Sequence, residues 1–191
     1  MKYDYLIKTS GFCGVALPIF IFLFMICSLD RVSGFSWVEH AISDLGRIGY
    51  GTSYFNFGLI IIGVLLLIFS IGLNLTLKNQ RIGPTVFAIS AIYLIGVGIY
   101  PLPASEHADL SGLFFIAFTF GFLAFGIKNY KSQDGFLKKM GIFALIVVLF
   151  AAISPISFLF ASGVAIPEAM VIFLGFIWCF VFGINMILSE F

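Results

Sequence analysis

The chain has 191 residues, of which 61% are hydrophobic and 10% charged, and its formal net charge is +1 at pH 7. A water-soluble domain carries about 25% charged residues, so this composition, with a mean hydropathy of +1.15, excludes a soluble globular protein and marks an integral membrane protein. The near-neutral balance also excludes the electrostatic footprint of a nucleic-acid binder.

Six apolar runs predict six helical spans, at about 10–29, 55–77, 84–100, 110–127, 141–163 and 168–188. Each is close to the ~20 residues that cross ~30 Å of hydrocarbon. Backbone groups in lipid have to be paired within their own segment, so runs this long read as helices. The first run follows Lys2 and Lys8, as a signal peptide would. It is too long for a signal core and no small-x-small cleavage site follows, so it reads as a span. Pro18 and Pro155 are placed to kink the first and fifth spans. The predicted fold is an all-α integral membrane protein, a single bundle over residues 1–191.

The first gap, from Asp30 to Tyr54, is long for a plain connection. Ser36 and Glu39 have the spacing of a capping box, and Gly46 offers a left-handed stop. Between them the pattern predicts a short amphipathic helix over 36–45, lying at the membrane interface with Trp37 as anchor. On that helix His40 and Asp44 would share a face. In the third gap Pro101 and Pro103 end the third span, and Ser105 is placed to cap the fourth. Glu106 and Asp109 then fall in a first turn, where acids suit the helix dipole, and His107 and Ser111 share a face. Pro167-Glu168 opens the sixth span by the same rule.

Orientation follows from the cations. Lys2, Lys8, Lys78, Arg81, Lys128, Lys131, Lys138 and Lys139 fall on one side, against Arg31 and Arg47 on the other. The expected setting is therefore a cell membrane crossed several times, with the N- and C-termini cytoplasmic. Asp30, Glu39, Asp44, Glu106, Asp109 and Glu168 fall on the opposite, outer side, with both histidines. Cys13, Cys27 and Cys179 lie in apolar segments without metal-site spacing and read as small buried hydrophobes. Asn56, Asn74, Ser90, Thr119, Ser154, Ser157 and Asn185 read as helix-to-helix hydrogen bonders, and Ser10, Gly14, Gly121, Gly126, Gly175 and Gly183 as points of close helix contact.

Both histidines sit in a Glu-His-Ala phrase, at Glu39-His40-Ala41 and Glu106-His107-Ala108. An inverted repeat would put the copies on opposite sides. These share a side, so they read as two edges of one outer patch. His40, Asp44 and His107, with Glu106 or Asp109, form a candidate set for a divalent metal, whose bound water would hydrolyse a lipid or other membrane substrate. Ser43 is the candidate nucleophile in a metal-free version, with a histidine as base.

His40-x-x-Ser43-Asp44-Leu45-Gly46, then Phe55-Asn56-x-Gly58-Leu59, a proline-ended third span and His107 resemble the six-span family catalogued as domain of unknown function 998. The likeness runs from the first span to the sixth and implies the same fold and topology. It makes Ser43, Gly46, Asn56 and Gly58 family-motif positions and implies no activity. The leading functional expectation is a structural or accessory subunit, with the bilayer and other membrane proteins or a second copy as partners. A metal-dependent hydrolase is the alternative. Transport ranks lower, because the middle of the spans carries no ionisable side chain except Tyr and Cys.

Overall fold

The structure, a computed structural model, describes residues 4–49, 51–77, 79–154, 156 and 162–189. The helices are α1 (Asp4–Leu29), α2 (Ser53–Thr76), α3 (Ile82–Ile99), α4 (Glu106–Asn129), α5 (Gly135–Ile153) and α6 (Ala165–Leu188). All six are long and apolar enough to cross a membrane, and the chain is a multi-pass membrane protein.

Three helices begin well before their apolar run. Asp4 pairs with Lys8 at 3.5 Å in the first turns of α1, and Glu106 and Asp109 open α4. Asp134 accepts from the Leu137 N–H at 2.9 Å and caps α5. The apolar run marks where hydrocarbon lies, while caps and dipole charges carry the helix into the polar zone. Pro18 lies inside α1 without ending it. The Pro155 kink, the Ser157 contact and the predicted continuation of α5 through 157–161 lie outside the described residues, and Gly163 belongs to the connection into α6.

The helices close a ring in chain order, each packing on the next, with α6 returning to α1. At the centre stands Trp178, fully buried, with Phe69, Phe87, Phe122, Phe125 and Phe182 around it at centroid distances of 4.8–6.5 Å. Its indole N–H donates to the Met140 carbonyl at 2.9 Å, so the one polar atom of this cluster is satisfied. Where α1 meets α6, a Cβ on Gly11 would press the Gly183 carbonyl and a Cβ on Gly183 the Gly11 carbonyl, the backbone approach small residues permit. Phe22, Leu23, Phe57, Phe120 and Leu149 are exposed on the outer faces of the ring, where lipid replaces water. Cys179 is buried and Cys13 partly so, but Cys27 lies on an exposed face rather than in the core.

The connections alternate between two ends. Residues 77, 79–81 and 130–134 lie at the basic end; residues 30–49, 51–52, 100–105 and 162–164 lie at the acidic end. The helix predicted over 36–45 is the main difference. Residues 37–39 form a turn, and a short 3₁₀ helix follows at Ile42–Gly46. In a continuous helix the carbonyls of Val38 and His40 would accept from residues four further on. Here they accept instead from Gly163, Val164 and Ala165 at 2.8–3.0 Å. Likewise the Ile42 N–H donates to Glu168 at 2.8 Å. Bonds across the bundle have replaced bonds along the helix. Gly46 is not a left-handed stop either; Gly34 and Gly49 carry the positive φ, at 82° and 106°.

Candidate functional site

The acidic end is built from the first loop outward. Asp44, 6% exposed, accepts from the Ala41 N–H at 2.9 Å and from Arg47 Nε at 2.7 Å. A second Arg47 nitrogen lies 2.6 Å from the same carboxylate oxygen. The Asn56 amide donates to the Gly46 carbonyl at 2.8 Å, and its side chain fills the space a Gly46 Cβ would need. Gly58 in turn leaves room for the ring of Phe24. Leu45 and Phe55 are buried beneath. The two motif halves, Ser-Asp-Leu-Gly and Phe-Asn-x-Gly-Leu, thus meet each other and fasten the loop to α2.

Under this loop, between α4, α5 and α6, is a chamber of about 670 Å³, within the size range of small-molecule sites. Phe115, Ile116, Phe120, Leu123, Val148 and Val171 give it apolar walls. Gly112, Ile116, Phe120 and Ala152 line it and are also exposed, so it opens sideways between the spans. Ser43 comes to it from the loop, His107 and Ser111 from the first turns of α4, and Glu168 from the first turn of α6. A smaller cavity continues past Ser43, Ser111 and Glu168 towards α2 and α3.

His107 is 4% exposed. Its Nδ1 lies 2.8 Å from the Tyr100 carbonyl oxygen. A carbonyl only accepts, so Nδ1 carries the proton, and in the neutral ring Nε2 is left as an acceptor. That Nε2 is buried with no hydrogen-bond partner among the described residues. Glu168 meets the loop through Oε2, which accepts from the Ile42 N–H.

The five candidate metal ligands are not brought together. His40 accepts from the Ser36 N–H at 3.0 Å and stacks on Phe35 at 5.6 Å, away from the chamber lining. Asp44 is bound to Arg47, so the shared face of His40 and Asp44 disappears with the helix that would have made it. Glu106 and Asp109 are exposed on α4. Ser105 donates to Glu106 Oε2 at 2.9 Å rather than capping the helix. Only His107 lines the chamber. Among the described residues, no three His, Cys, Asp or Glu side chains form a metal-holding group. The Glu-His-Ala phrases do approach the same chamber, through Ala41 on one side and His107 and Ala108 on the other. Glu168 is the group that local reading of the chain undervalued: its position after Pro167 signals only a dipole charge, and its partner is 126 residues away.

Fold and site together define a six-span membrane protein with a side-opening chamber beneath a folded end loop. The chain belongs to the family described as Protein of unknown function (DUF998), whose model matches residues 14–185, as the paired motifs implied. Neither a curated protein nor a solved structure matches it.

Proposed function

We propose that the protein is a membrane-embedded binding protein that takes one amphiphile sideways from the bilayer, with its tail in the chamber and its head under the first loop. The observation that carries this is the arrangement of the chamber: apolar walls opening between spans, with His107 and Glu168 placed beside Ser43 and Ser111 at the loop-covered end. Such a binder serves as an accessory subunit in a cell membrane, presenting its ligand to another membrane protein or a second copy. The Lys and Arg distribution supports cytoplasmic termini, which puts the loop-covered end on the outer face.

Gly112 provides the test. It lines the chamber, yet a Cβ placed on it meets nothing within 4 Å, so a Trp there adds bulk at the chamber with no clash at its Cβ. Native mass spectrometry of protein released from nanodiscs should show one retained amphiphile per chain, lost in Gly112→Trp at unchanged melting temperature. Equal retention in both proteins, or none in either, overturns the reading.

One observation favours a second reading, a hydrolase acting on a membrane ester. Ser43 and His107 line the same chamber, and the Tyr100 carbonyl fixes the tautomer that leaves Nε2 as a base. Release of fatty acid from an ester-linked amphiphile, abolished by Ser43→Ala with binding retained, would establish it; no release from a bound ester would remove it. The metal-dependent form has no clustered ligand set among the described residues. Transport has no ionisable relay across the spans to carry it.

A further inference from the structure

We infer that the amphiphile has an uncharged head that donates hydrogen bonds, as a long-chain alcohol or a monoacylglycerol does. This rests on the amphiphile-binding reading above and assigns the chemistry of its ligand. The first observation is His107. A buried acceptor without a partner is unusual in a folded protein, and Nε2 of this residue has none among the described residues, on a ring that lines the chamber. Since Nδ1 is committed to the Tyr100 carbonyl, a ligand O–H is the complementary group for Nε2 in the neutral ring.

The second observation is the charge around the head position. No Lys or Arg is among the described residues that line the chamber. Arg47, the cation of the covering loop, has both its Nε and a terminal nitrogen on Asp44. The Asp44 and Glu168 carboxyls accept from successive backbone N–H groups, those of Ala41 and Ile42. A phosphate or carboxylate head would therefore face the Glu168 carboxyl with no cation among the described lining residues. An ammonium head would have to leave water for an apolar chamber whose described lining holds a single carboxyl, one oxygen of which is already bonded to the loop, and an imperfectly paired buried charge is costly. A hydroxyl head avoids both penalties. Ser43 and Ser111 can each donate or accept, which suits a head with more than one hydroxyl.

The experiment is equilibrium binding to the unaltered protein in phosphatidylcholine nanodiscs. The probes are hexadecanol, monopalmitoylglycerol, palmitate, palmitoyl lysophosphatidate, hexadecylamine and hexadecane. The alcohol and the monoacylglycerol should bind at least about tenfold more tightly than the other four, the effect of one buried hydrogen bond made or missed. Equal binding by the acid, the phosphate, the amine or the alkane overturns the head-group assignment and leaves the chamber reading standing. Binding by none of the six overturns the chamber reading itself. His107→Phe should weaken hexadecanol about tenfold and leave hexadecane unchanged, and His107→Gln, which restores an acceptor, should recover most of the loss. Equal loss in both variants, at unchanged melting temperature, removes His107 as the acceptor.

Discussion

Asp44 binds a backbone N–H on one oxygen and a guanidinium on the other, at 6% exposure. Replacing it leaves a donor and a cation without their partner, and such a loss costs about 1–3 kcal/mol. Asp44→Ala should therefore lower thermal stability in detergent clearly, while Asp109→Ala, at an exposed position, should change it by no more than about 0.5 kcal/mol. Equal effects would show that the loop does not depend on this carboxylate. A second outcome concerns Gly46 and Asn56, whose side chain occupies the place of a Gly46 Cβ. Gly46→Ala and Asn56→Ala should each destabilise, and the double variant should lose less than the two losses added, because truncating Asn56 removes the clash. Additive losses in such a cycle would contradict the contact.

The six spans were legible because each apolar run is long enough to specify a helix by itself. Their close contacts were legible in part, since Gly183 sits where α6 meets α1. Gly183→Val should overpack that contact and destabilise by about 1–3 kcal/mol. Gly135→Val, at a position with open space, should leave the contact intact; a melting comparison of the two decides it. The first loop was not legible. Ser36, Glu39 and Gly46 spell a helix to any local reading, but the carbonyls that would continue it are taken by residues 163–165. The site followed the same division. His107 and Ser111 share a face by local spacing, and both reach the chamber. Glu168 joins them only through the fold, because sequence pattern does not encode a bond to a backbone N–H in a distant loop.

At the scale of the molecule the two ends differ in charge, and the proposed topology, with the chamber's head position outside, rests on that difference. A single cysteine at Ser105, on the acidic end, should react with a membrane-impermeant maleimide on intact cells once the three native cysteines are replaced. One at Gln133, on the basic end, should react only after permeabilisation; the opposite pattern would invert the topology and place the chamber's head position in the cytoplasm. The bonds between the first loop and the head of α6 also impose an order on biosynthesis. The Ile42 N–H meets its carboxyl partner 126 residues later, a delay of roughly 6–25 s at about 5–20 residues per second on the ribosome. Until then the carbonyls of Val38 and His40 lack the partners they have in the finished fold. The acidic end therefore cannot close until the head of the sixth span has been made, and a chain stalled before that point should be cut by added protease in its first loop more readily than the finished protein.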